Sequence, residues 1–127
     1  MNLRSPLSQA RGLGSAKEGV NHWWLQRLTA LALIPLTLWF VYSVARYHMG
    51  SYEMVVAWLH APMVAVALAI YLFAACYHAA LGLQVVIEDY VGDEAVKLVA
   101  IVLVKFGLFV LAAASIFAVL KIALGAV

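Results

Sequence analysis

Three stretches, roughly Trp23–Tyr47, Pro62–Ile87 and Ala95–Leu124, run almost without charge, and the middle one contains no Asp, Glu, Lys or Arg at all. A helix needs about 20 consecutive apolar residues to cross the hydrocarbon of a bilayer, and each stretch is long enough. Lipid offers no partner for backbone N–H and C=O groups, so a segment of this kind spans as a helix. Composition agrees. The 127-residue chain is 67% hydrophobic and 11% charged, whereas soluble domains are about 45–50% apolar and about 25% charged. The expected fold class is an all-α membrane protein: three transmembrane helices behind an N-terminal cytoplasmic tail at 1–20, with residues 21–127 forming one anchor domain. The net charge of +2 is small and scattered, which excludes a nucleic-acid-binding patch. The single cysteine, Cys76, excludes an internal disulfide and a Cys-cluster metal site, and it reads as an inert packing residue.

The tail carries Arg4, Arg11 and Lys17 against one acid, Glu18. It resembles a short basic cytoplasmic tail of a bacterial membrane protein more than an organellar transit peptide, because no small-residue cleavage site precedes the first span. Asn21 is a candidate cap for the first helix. Trp23 and Trp24 sit where amphipathic rings favour headgroups, with Tyr42 and Tyr47 as the opposite belt. Pro35, in mid-span, predicts a local kink that packed membrane helices tolerate. Arg27 either snorkels to the headgroups or serves as a counter-charge for a buried anion. Residues 52–60, with Trp58, read as an interfacial segment, flanked by His48 and His60 as solvated histidines. Pro62 suits the first turn of the second span, and Gly92, Asp93 and Glu94 form the turn before the third. In that third span Lys105 must snorkel, pair or face a partner, while Gly107 and Ala112-Ala113-Ala114-Ser115 offer a small-residue packing face. The excess of basic residues near the N-terminus orients it to the cytoplasm, so the loop after the second span lies on the same side.

The chemistry concentrates in the second span. His78 is alone in an apolar helix, and an ionisable side chain at that depth is by default a functional candidate. Ala74, Ala75 and Gly82 stack above and below it at i−4, i−3 and i+4. That clearance suits a planar ligand bound through imidazole, and it equally suits close helix contact. A neutral imidazole is a standard haem-iron ligand; the alternatives are a structural hydrogen bond to a nearby Ser, Thr or carbonyl, or a proton relay. No other histidine lies at similar depth on another span, so a second haem ligand would come from another chain. Asp89 and Tyr90 follow about 18 Å further along a continuous helix, at the membrane edge. Tyr90 is either an aromatic-belt residue or a phenol donating to a quinone carbonyl, with Asp89 holding a proton or a neighbouring arginine in place.

His78, then Gly82 at i+4, then Asp89-Tyr90, together with Gly19-Val20 and Leu25-Gln26-Arg27-Leu28-Thr29-Ala30 at the head of the first span, is a pattern similar to one known family. Over roughly residues 11–124 the chain resembles the smaller hydrophobic membrane anchor of succinate dehydrogenase, respiratory Complex II. The resemblance implies that His78 is one axial ligand of a haem b shared with a partner cytochrome b subunit. It implies that Arg27 lies near the haem propionates, that Tyr90 binds the head group of ubiquinone as substrate, and that Asp89 shapes that site. It also implies two soluble partners on the cytoplasmic side, an iron–sulfur subunit and a flavoprotein subunit, and surrounding membrane lipid. The reaction of the whole would be succinate plus quinone giving fumarate plus quinol, with no catalytic residue on this chain alone. The implied location is the bacterial inner membrane, the mitochondrial inner membrane being the alternative. After Tyr90-Val91 the family can carry a basic residue and a proline, where this chain has Gly92-Asp93-Glu94. Two other functions compete. One is a purely structural anchor without cofactor contact. The other is a small transporter or channel component using His78 and Lys105, which the lack of an inverted repeat and of paired intramembrane acids disfavours.

Overall fold

The computed structural model describes Leu7, residues 19–47 and residues 50–125. The rest of the basic tail before Gly19, His48 and the Tyr47 side chain lie outside the described residues. Among the described residues four helices follow from Gly19 on: α1 (Gly19–Tyr47), α2 (Tyr52–Leu59), α3 (Pro62–Tyr90) and α4 (Glu94–Ala123). Among the described residues there is no strand. Helices α1, α3 and α4 contain 29, 29 and 30 residues, each about 45 Å of rise, and all three are long and apolar enough to cross a membrane.

The helix ends follow local chemistry, with small departures from the sequence reading. Helix α1 already begins at Gly19, so Asn21 lies within its first turn and does not cap it. Pro35 sits inside this unbroken helix. Ser51 caps α2, its hydroxyl accepting from Met54 N at 3.3 Å. Pro62 opens α3, where its missing N–H leaves no helical bond unmade. Asp93 caps α4 by accepting from Val96 N at 2.9 Å. Glu94 therefore belongs to the first turn of α4, where its negative charge suits the helix N-terminus and its carboxylate pairs with Lys97 at 2.8 Å. Helix α3 runs three residues past Ile87, carrying Glu88, Asp89 and Tyr90 as helical residues.

Helix α3 is the spine, packed against α1 on one side and α4 on the other. The tight packing is at one end. Leu59, Ala65, Leu68 and Val119 are buried there. Trp39 stacks on Trp58 at 5.8 Å and Phe40 on Tyr71 at 5.4 Å between ring centroids, the offset geometry that aromatic quadrupoles favour. At the other end of the seam α1 meets α3 through Gln26 and His78, so the two helices are antiparallel. Of the small residues in α4 only Ala112 is buried, while Gly107 faces open space. The packing face expected over Gly107 and Ala112–Ser115 thus narrows to Ala112, because α3 contacts one side of α4 and the other side points outward.

Candidate functional site

His78 is half-buried in the α1–α3 seam, and both of its ring nitrogens face α1. The Thr29 hydroxyl lies 2.8 Å from Leu25 O and 3.0 Å from Gln26 O. Threonine commonly bonds back to such carbonyls within a helix. Its single proton is committed to them, so toward His78 Nδ1, at 2.9 Å, it offers a lone pair. Nδ1 therefore carries the imidazole proton and Nε2 is left with the free lone pair. The partner of one ring nitrogen sets the state of the other, and this is the tautomer in which Nε2 ligates a metal. In this structure the Gln26 amide donates to Nε2 at 3.3 Å, which is long for such a bond. Gln26 Oε1 is buried with no partner, so this amide is poorly anchored and free to turn away.

His78 and Gln26 line a cavity of about 500 Å³ together with Gly19, His22, Trp23, Arg27, Ala30 and Val85, a size within the usual range of cofactor pockets, about 300–1,000 Å³. The Arg27 guanidinium lies 4.2 Å from the centre of the Trp23 ring. The cation–π contact holds a positive charge at the wall of the cavity while leaving its donors available. Gly82 faces α1: a Cβ there would come within 3.4 Å of Gln26 Nε2. Its missing side chain is used to bring the two helices together.

Asp89 and Tyr90 are not brought to this cavity. Both are exposed at the C-terminal end of α3, Tyr90 at 85% of its surface. Tyr90 is about 18 Å along the helix from His78 and turned by roughly 120° from it, whereas Asp89 is turned by only about 20°. Asp89 therefore continues the helix face of His78 and Tyr90 does not. Lys105 lines other cavities, on the α4 side of the bundle.

The family model described as "Succinate dehydrogenase/Fumarate reductase transmembrane subunit" matches residues 1–120. The chain belongs to this family. It is 35% identical over 127 residues, all of this chain and 98% of the relative, to the succinate dehydrogenase hydrophobic membrane anchor subunit of Paracoccus denitrificans. It is 36% identical over 104 residues, 82% of this chain and 83% of the relative, to the subunit of the same name from Rickettsia bellii. The succinate dehydrogenase membrane anchor subunit of Reclinomonas americana is 32% identical over 93 residues, covering 70% and 77% of the two chains. With three helices long enough to span, the chain is a multi-pass membrane protein and a membrane anchor subunit of succinate dehydrogenase.

Two contributors to the site had no role assigned from the sequence: Thr29 and Gln26, the partners of His78. A signal for them exists. Trp23, Gln26, Arg27 and Ala30 recur at i, i+3, i+4 and i+7, one face of α1, and Thr29 is a hydroxyl beside that face in an otherwise apolar turn.

Proposed function

We propose that the chain does more than anchor: His78 Nε2 supplies one axial ligand to a haem b shared with a cytochrome b subunit, and Tyr90 with Asp89 forms part of the ubiquinone-reducing site. The observation that carries the first half is the Thr29 hydroxyl at His78 Nδ1, which leaves the Nε2 lone pair toward Gln26, itself a wall of the cavity. The residues fit the group. His78 would hold the iron once Gln26 turns aside, and Arg27, held on Trp23, would pair with a propionate. A haem held there supplies a one-electron store within the membrane. For the second half, Tyr90 is an exposed phenol at the helix end, where a quinone arriving sideways through the bilayer meets water-borne protons. Its hydroxyl donates to a quinone carbonyl, and Asp89 keeps a proton acceptor beside it. The cytoplasmic N-terminus and the inner-membrane location belong to the same reading, as do docked iron–sulfur and flavoprotein subunits that bring electrons from succinate.

The test is the reduced-minus-oxidised spectrum of the assembled complex carrying His78→Ala. Loss or displacement of the haem b bands is expected; an unchanged spectrum would remove His78 as ligand. A second reading, an anchor without cofactor contact, is favoured by one observation: both nitrogens of His78 already have protein partners. On that reading Tyr90→Phe leaves quinone reduction intact, and deleting the chain only releases succinate-oxidising activity into solution. The transporter reading loses ground because His78 and Lys105 line separate cavities.

A further inference from the structure

Next to the His78 cavity, and sharing Gly19 and His22 with it, lies a polar chamber of about 450 Å³, walled by His22 of α1, Gln84 and Glu88 of α3 and Lys105 of α4. It continues into an apolar groove of about 400 Å³ between α3 and α4, lined by Phe73, Ala80, Leu108, Phe109 and Ala112 among others. Tyr77, Leu81 and Lys105 line both. We infer that this continuous site holds a zwitterionic phospholipid with a primary ammonium, of the phosphatidylethanolamine class.

The charges call for such a ligand. Lys105 and Glu88 face the same chamber, yet among the described residues the one ion pair is Lys97 with Glu94. An unpaired cation within a span is costly, so a counter-charge is required. Two further polar atoms of the chamber, His22 Nε2 and Gln84 Oε1, are buried without a partner, and such atoms in native proteins call for an explanation. The Gln84 amide donates to Glu88 Oε1 at 2.7 Å, so Glu88 and Gln84 Oε1 form one acceptor cluster. Lys105 is a donor, and so is His22 Nε2 in the tautomer that carries its proton. An ammonium on the first pair and a phosphate on the second satisfies all four.

The depths of these groups agree. Glu88 lies about 3 Å of helix rise from the end of α3, Gln84 about 9 Å, and Lys105 about 16 Å from the start of α4 on the same side. The flexible four-carbon stem of Lys105 brings its ammonium back toward that end. The groove continues to the level of Phe73 and Ala112, roughly 25 Å deep. From the surface inward the polar chamber gives way to the apolar groove, which is the order of headgroup and acyl chain in such a lipid. An anionic lipid leaves Glu88 facing negative charge, and a neutral quinone head matches neither charge.

The experiment is lipid analysis of the assembled succinate dehydrogenase complex after exhaustive washing in mild detergent. One tightly retained phosphatidylethanolamine per complex is expected. Lys105→Met should lower its retention about tenfold, the loss of one charge-assisted contact. Glu88→Gln should lower retention of phosphatidylethanolamine while raising that of phosphatidylglycerol. If Lys105→Met prevents assembly, Ala113→Phe, which fills the groove and spares both charges, carries the same test by expelling the lipid. Retention of no phospholipid by the unaltered complex would overturn the inference. So would unchanged retention in the variants, or a quinone in place of the lipid.

Discussion

Replacing Thr29 by valine removes one oxygen and keeps the shape of the side chain. That oxygen accepts from His78 Nδ1 at 2.9 Å while its proton goes to Leu25 O and Gln26 O. Without it, Nδ1–H is left in a half-buried seam with no acceptor, a cost of about 1 kcal/mol at the lower end of the range for unsatisfied groups. The imidazole also loses the contact that fixes its ring and its tautomer. Removing such an outer partner of a metal-ligating histidine typically lowers affinity roughly 10–100-fold, or about 1.4–2.7 kcal/mol. Thr29→Ser restores the hydroxyl and serves as the control. The assay is haem per flavin in the purified complex, with the midpoint potential as a second readout. Thr29→Val should lose haem on dilution and shift the potential, while Thr29→Ser stays close to the unaltered protein. Equal haem retention and equal potential in both variants would refute the inferred link from Thr29 to His78 Nε2.

Tyr90→Phe deletes only a phenol oxygen at an exposed helix end, so assembly and stability should not change. Quinone reduction should fall about tenfold, the worth of one hydrogen bond to the quinone carbonyl, with succinate-to-dye electron transfer unchanged as the internal control. Gly82→Val places a branched side chain where a Cβ alone reaches 3.4 Å from the Gln26 amide; it should destabilise the α1–α3 seam by about 1–3 kcal/mol, read as a lowered Tm of the detergent-solubilised complex. By contrast Gly107→Ala, on the open face of α4, should leave the Tm unlowered.

The spans were legible because lipid imposes a length and a composition on any crossing helix, and 62–87 without a charged residue leaves no other reading. The ends were less so. Asn21 has a capping side chain, but α1 starts before it, so its chemistry is spent inside a turn. Glu94 was read as turn because it follows Gly92-Asp93, whereas the Asp93 cap draws it into α4. The site was legible in its residue and not in its partners. His78 stands out as the one histidine of an apolar span. That Gln26 and Thr29 meet it depends on the axial register of α1 against α3, which hydropathy does not encode. Small residues likewise mark possible close approach without saying to what. Gly82 meets α1, Ala112 is buried, and Gly107 meets nothing among the described residues.

The faces of α3 divide its contribution. The His78 face, extended by Gly82 and Val85, looks into one cavity; the Tyr77, Leu81, Gln84 and Glu88 face looks into another. Tyr90, turned roughly 120° from His78, points outward at the end. No single partner within this chain finishes these surfaces, since α1 covers only part of the first and α4 only part of the second. For His78 the incompleteness is chemical as well as geometric. One imidazole offers iron one bond; among the described residues His60 is exposed at the end of α2, and His22 lines the same cavity from α1, about one helical turn from Gln26. On the proposed reading the second axial ligand of a haem at His78 comes from the cytochrome b subunit. The subunit that completes the site then belongs to the complex that this chain anchors.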